Sequence, residues 1–188
     1  RGMELTMGDE RKWVQTLLDL GAFRAELVPV EEITFDPVFR QMCESNACGM
    51  YGKSWMCPPH VGPIDQLIQE AKAYRWALVY QIVEPLEDSY DVEGMMAAGR
   101  RMNDLTQQVR SQLSPELPED TLFLGAGGCR LCPVCAKVED QPCRFPQKAV
   151  SSLEAYGIHV SNLAQAAGMK YINGQNTVTY FGAVLFDH

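Results

Sequence analysis

Histidine is scarce in this chain of 188 residues: there are three, at 60, 159 and 188. Histidine-based acid–base catalysis therefore has few actors. Neither a His-Glu-x-x-His helix nor a Gly-x-Ser-x-Gly elbow is present, and the Cys-x3-Cys-x2-Cys spacing of radical S-adenosylmethionine enzymes is missing too. Long apolar runs are lacking. The longest, Trp76 to Val83, is interrupted by Gln81 and falls far short of the about 20 residues that span a bilayer. Arg1 to Gly8 holds no apolar run of the signal-peptide kind, and Arg1-Gly2 ahead of Met3 reads as a cloning remnant. No basic stripe offsets the formal charge of −8, which argues against a nucleic-acid-gripping protein and against binding to an anionic membrane surface. The expectation is a soluble, cytoplasmic protein whose thiols stay reduced.

What is present suits a folded chain. Hydrophobic residues make up 46% and charged residues 21%, enough apolar material for a sizeable core. A single domain over residues 1–188 is expected. Asp9 to Leu20 reads as a helix with Trp13, Leu17 and Leu20 on one face and Gly21 as its stop. Ala25 to Thr34 looks extended, with Pro29 pointing to a sheet edge. Ile64 to Tyr74 reads as a helix opened by Pro63. Trp76 to Val83 reads as a buried strand, Val92 to Leu113 as the longest helix, and Thr121 to Leu124 as a short strand. Ser151 and Glu154 fit a capping box, a short helix runs from Asn162 to Gly168, and Thr177 to Phe186 reads as the final strand. His159 falls in an extended segment with a core or surface role, and His188 at the chain end is expected to be mobile. The fold class is α/β (α+β): a sheet of about four strands with helices on one face and two cysteine-rich loops, at 43–63 and 125–148. The strand order, parallel or mixed, stays open. The acidic charge concentrates between Glu84 and Asp120 and reads as a solvated helix face with its loops.

The cysteines carry the chemistry. Seven is an odd number, so a closed set of disulfides is impossible within the chain. All lie in two blocks, Cys43-x4-Cys48-x8-Cys57 and Cys129-x2-Cys132-x2-Cys135-x7-Cys143, and residues 58–128 contain none. Isolated cysteines are commonly small core residues, but the prolines and glycines around these mark loops. Cys129, Cys132 and Cys135 are spaced so that each reaches a different iron of one [4Fe–4S] cluster. Cys143 is the nearest fourth ligand, yet its gap differs from the ferredoxin run Cys-x2-Cys-x2-Cys-x3-Cys-Pro, so the cluster it serves stays open. Gly125, Gly127 and Gly128 let backbone approach the sulfurs. A phosphate cradle is the rival reading of these glycines, without the Lys-Ser/Thr pair that such loops carry.

In the first block Cys57 is followed by Pro58 and Pro59, which stiffen the loop. Three cysteines are one short of a full cubane; His60, Cys143 or an exogenous molecule would complete it. Tyr51, Lys53 and Trp55 lie within this loop. They fold it over the metal, or Lys53 and Tyr51 hold or protonate a small substrate beside an open iron. Zinc is the alternative metal, although its usual ribbon has two Cys-x2-Cys knuckles and here the second is missing. A redox dithiol is a further alternative. Arg130, Lys137, Arg144 and Lys148 against Glu139 and Asp140 make the second loop net positive. That charge would offset a thiolate cluster and dock an acidic electron carrier.

Cys48-Gly-Met-Tyr-Gly-Lys-Ser-Trp-Met-Cys57-Pro-Pro59, Cys129-Arg-Leu-Cys132-Pro-Val-Cys135, Pro142-Cys-Arg-Phe-Pro146 and Ser152-Leu-Glu-Ala-Tyr-Gly-Ile158 together resemble a family of uncharacterised prokaryotic predicted metal-binding proteins. The resemblance runs over nearly the whole chain. It implies a metal or iron–sulfur protein, mostly of anaerobic bacteria and archaea, with no established reaction. Three functions follow from the residues. One is an electron-transfer protein with one or two [4Fe–4S] clusters and a redox partner protein. The second is an enzyme reducing a small-molecule substrate at an open iron lined by Tyr51, Lys53 and His60. The third is a zinc-stabilised interaction module.

Overall fold

The computed structural model describes residues 7–187; Arg1-Gly2 and His188 lie outside them. The chain runs α1 (Met7–Leu20), β1 (Arg24–Pro29), α2 (Val38–Glu44), α3 (Ile64–Lys72), β2 (Trp76–Pro85), α4 (Val92–Leu113), β3 (Leu122–Gly125), β4 (Ser151–Ser152), α5 (Val160–Ala166) and β5 (Thr177–Phe186). The five strands form one mixed sheet in the order β1-β2-β5-β3-β4. The β1–β2, β2–β5 and β5–β3 pairs are antiparallel, and β3–β4 is parallel. β2 and β5 pair along their whole length, from Trp76 opposite Phe186 to Pro85 opposite Thr177. β1 is an edge, as its proline requires.

The helices cover both faces of the sheet, not one. β2 explains why: Ala77 and Val79 point one way, Leu78, Tyr80 and Ile82 the other, and all five are buried. A strand apolar on both faces needs a cover on each. On one face Leu67 and Ala71 of α3 and Leu163 and Ala164 of α5 pack with Val79, Phe181, Ala183 and Leu185. On the other, Trp13 and Leu17 of α1 and Met102, Leu105 and Val109 of α4 pack with Leu78, Tyr80 and Val184. Trp13 meets Phe186 edge-on at 5.2 Å. Tyr80 lies flat against its cross-strand partner Gly182, where a Cβ would come within 2.4 Å of the ring. Its hydroxyl meets Thr106 Oγ1 at 3.2 Å, and burial pushes its pKa up to about 12. Among the described residues no helix is long and apolar enough to cross a membrane.

The capping box forms differently from expectation. Ser151 belongs to β4, and its hydroxyl donates to the Met56 carbonyl at 2.9 Å. Ser152 takes over the cap, its Oγ accepting the Ala155 N–H at 3.1 Å. α5 begins two residues before Asn162, because His159 is its cap: Nδ1 accepts the Asn162 N–H at 3.2 Å. The extended reading of 25–34 holds for Arg24–Pro29, after which a 3-10 turn at Val30–Glu32 bends the chain away.

Candidate metal centre

The first cysteine block is a chain of tight turns. α2 delivers Cys43 near its end, and Asn46, in the left-handed region, accepts the Tyr51 N–H on its side-chain oxygen at 3.0 Å. Gly52 N–H donates to the Pro58 carbonyl at 2.9 Å, and a cis peptide joins Pro58 to Pro59. These closures leave Cys48 exposed and bury Cys57. The second block enters from β3, an inner strand whose end opens into Gly125–Gly128. From there to β4 the chain is turns and one short 3-10 turn, Ala136–Glu139.

The two blocks are stitched together. Trp55 Nε1 donates to the Gln141 carbonyl at 2.8 Å, and the Lys137 ammonium lies 5.2 Å from the Trp55 ring centre. The Ser151–Met56 bond ties the first loop to the sheet. A further close approach is at Gly128, where a Cβ, had the residue one, would stand 2.8 Å from Cys57 Sγ. A glycine is required there because any side chain would push the thiol away.

Electrostatics sorts the thiols. Burial pushes Cys57 up, and the Cys48, Cys43 and Cys129 thiolates add to the shift against the Ser54 hydroxyl. Burial also raises Cys43, with Arg40 opposing and Cys48 reinforcing. Cys43, Cys48, Cys57 and Cys129 thus form one neighbourhood drawn from both blocks. The half-buried Arg110 guanidinium stands beside Cys129 and donates to the Ala149 carbonyl at 2.8 Å. Cys135 behaves in the opposite way. Burial pushes it up, but the N–H groups of Lys137 and Trp55, the Ser54 hydroxyl and the Arg144 guanidinium outweigh that and bring it below its ordinary value. Arg144 is hydrogen-bonded to Cys132, and its Nη1 reaches the Val134 carbonyl at 2.9 Å.

A cavity of about 480 Å³ opens between the loops, lined by Cys129, Cys132, Cys135, Cys143, Lys53 and Arg144 among others. No carboxylate lines it. Seven thiols, a backbone cradle at Gly128 and this lining suit a sulfur-seeking metal. Among the described residues no three His, Cys, Asp or Glu side chains close on a single-ion site. Of the three non-cysteine candidates, only Lys53 lines the cavity. His60 packs edge-on against Trp55 at 5.7 Å, and Tyr51 is held by its backbone to Asn46. Ser54 and Arg110 carry no signal in the sequence. Ser54 is fully buried and acts on Cys57 and Cys135 alike, but in the chain it is one serine among turn formers. Arg110 is one more cation on a long helix.

A family model described as predicted metal-binding protein (DUF2284) matches residues 26–186. No curated protein and no solved structure matches the chain.

Proposed function

The chain belongs to that predicted metal-binding family, and we propose that its metal is iron, held as [4Fe–4S] clusters by the two cysteine loops, and that the protein moves electrons. The observation that carries this reading is the seat of Cys57 Sγ on Gly128, which makes one site out of both blocks. A zinc ribbon also draws its four thiolates from two knuckles onto one ion; seven thiols, three of them with two residues between neighbours, exceed that set and suit cluster-binding loops, in which a cysteine of one run can serve the other cluster. In this reading Cys43, Cys48, Cys57 and Cys129 are a full set of four. Cys132, Cys135 and Cys143 are a second set of three. Cys129 lines the cavity with Cys132, Cys135 and Cys143 and also bears on Cys57; counting it with the first block is what makes the sets four and three. Arg110, Arg144 and the loop amides offset thiolate charge, which raises a cluster's potential. The basic second loop, with Arg130, Lys137, Arg144 and Lys148, supplies a face for an acidic redox partner.

The cavity favours a second reading. A set of three thiols leaves one iron without a protein ligand, and such an iron binds a substrate as a Lewis acid. Lys53 and Arg144 border that space and would hold an anionic or polar substrate there, while Trp55, pinned to Gln141, forms its apolar wall.

Iron, acid-labile sulfide and zinc per anaerobically purified chain test the first reading, with spectra before and after reduction. About eight irons and eight sulfides, bleaching reversibly, are expected for two cubanes. About one zinc with no sulfide overturns it. Imidazole added to the reduced protein tests the second: a change in the electron paramagnetic resonance spectrum reports an open iron, and an unchanged spectrum leaves electron transfer alone.

A further inference from the structure

A second cleft, of about 370 Å³, lies on the α4 side of the sheet, between the first turns of α4 and the glycine loop after β3. Arg100 comes to it from α4 and Arg130 from the loop, with Asn103 and Gly127 between them. Among the described residues no acidic side chain lines it. Among the described residues neither arginine makes a hydrogen bond or an ion pair. The contrast with Arg101, next in the chain and paired with Glu84, is direct. Asp104, one turn beyond Arg100, lines the adjoining cleft and is not paired with it. Two guanidinium groups facing one space without a counter-charge repel each other, in a chain whose formal charge is −8. An anion from outside relieves that repulsion.

Two further features shape the occupant. Gly127 has φ +67, the left-handed setting in which successive backbone N–H groups gather on an anion. The N–H group of Gly127 makes no hydrogen bond among the described residues. The opposite wall is apolar: Met95, Met96 and the Tyr180 ring, which is held by the bond from its hydroxyl to the Met95 carbonyl at 3.2 Å. Met96 is 59% exposed with nothing packed over it. A cleft of this volume, charged at one end and apolar at the other, suits a small ligand of the same polarity.

We propose that this cleft binds a small organic phosphate, its anionic end between Arg100 and Arg130 and its flat apolar part on Met95, Met96 and Tyr180. Arg130 directly follows Cys129, so the occupant would sit beside the metal loops. The proposal does not depend on which metal they hold.

The test is calorimetric titration of the full, anaerobically purified chain with phenyl phosphate, inorganic phosphate and phenol. Phenyl phosphate is expected to bind saturably and at least about tenfold more tightly than either fragment, since each end of the cleft takes one part of it. Arg100→Gln is expected to weaken phenyl phosphate by about tenfold, one charge-assisted bond being worth that much. Metal content should stay unchanged, because Arg100 belongs to α4, outside both cysteine loops, and offers no ligand. Met96→Ser should weaken phenyl phosphate and leave inorganic phosphate as it was. The absence of saturable binding, equal affinity for phenyl phosphate and inorganic phosphate, or an unaltered affinity in Arg100→Gln overturns the proposal.

Discussion

Cys57 and Cys135 lie on either side of one buried serine, and their surroundings push them in opposite directions. Cys57 is crowded by other thiols in a buried pocket, which raises its pKa. Cys135 sits at the cavity wall among N–H groups and Arg144, which lower it. The first surroundings favour the thiol, so a thiolate there gains most from a metal that takes its charge. The second favour the thiolate relative to an ordinary cysteine. Neighbouring thiols in one motif-rich loop region thus differ in what they need, and the difference comes from the partners folded against them, not from their spacing.

The sharpest way to break this contrast is to remove one thiol from each set. Cys57→Ser is expected to lose about half of the iron, from the buried set, and Cys143→Ser about half, from the cavity set. Spectra of the two variants should then be complementary. Identical spectra, or a loss of all iron from either, would dissolve the division into two sets.

Gly128→Ala sharpens it without touching a ligand. The new methyl would stand 2.8 Å from Cys57 Sγ, so iron should fall as in Cys57→Ser while the cavity set keeps its own. Gly182→Ala is the control. It drives a methyl into the Tyr80 ring at 2.4 Å and should cost about 1–3 kcal/mol in denaturant unfolding, yet leave iron per folded chain unaltered. If Gly182→Ala also stripped iron, the loss in Gly128→Ala would reflect general destabilisation.

Ser54→Ala tests the residue between the two sets. The Met56 N–H, which reaches Ser54 Oγ at 3.2 Å, loses its acceptor, at a cost of about 1–3 kcal/mol. The hydroxyl has one proton and donates to one sulfur at a time, so one reduction wave should move to more negative potential, and that wave names the set the serine serves. Two unmoved waves would show that it donates to neither.

The smallest effect is read in metal-stripped protein. At neutral pH iodoacetamide should modify Cys135 before Cys57, because a lowered pKa gives more thiolate. As the pH rises through the ordinary thiol value of about 8.5, the lowered Cys135 approaches full ionisation ahead of the raised Cys57. Cys57 is still gaining thiolate, so the gap should close. Mass spectrometry of the labelled peptides gives both rates, and an order that is reversed at neutral pH would contradict the surroundings described above.

Periodicity made most of the scaffold legible. Val92 to Leu113 and Thr177 to Phe186 fold with the boundaries their patterns predict. The apolar run at Trp76 marks β2, which extends to Pro85. Two things escaped. β4 is two residues long and exists only because β3 lies beside it. The cover on the second face was hidden because a run of apolar residues does not say how many partners it needs. At the site, clustering and loop residues marked out the cysteines as a group. They did not foretell that Cys57 rests on Gly128, that Ser54 stands between two thiols, or that Tyr51 and His60 lie off the cavity that Lys53 borders. The approaches of Cys57 to Gly128 and of Ser54 to Cys135 are long-range, and local spacing carries no information on them.

The strand order also sets a timetable. β3, which places Gly128 and Cys129, is joined to the rest of the sheet through β5, and β5 is made by residues 177–186. While the ribosome is still reading the helices before it, the first cysteine block can already have emerged and turned, but the backbone on which Cys57 rests has no sheet to hang from. The seat for that thiol therefore depends on β5, the strand that lies between β2 and β3, although β5 adjoins neither Cys57 nor Gly128 in sequence.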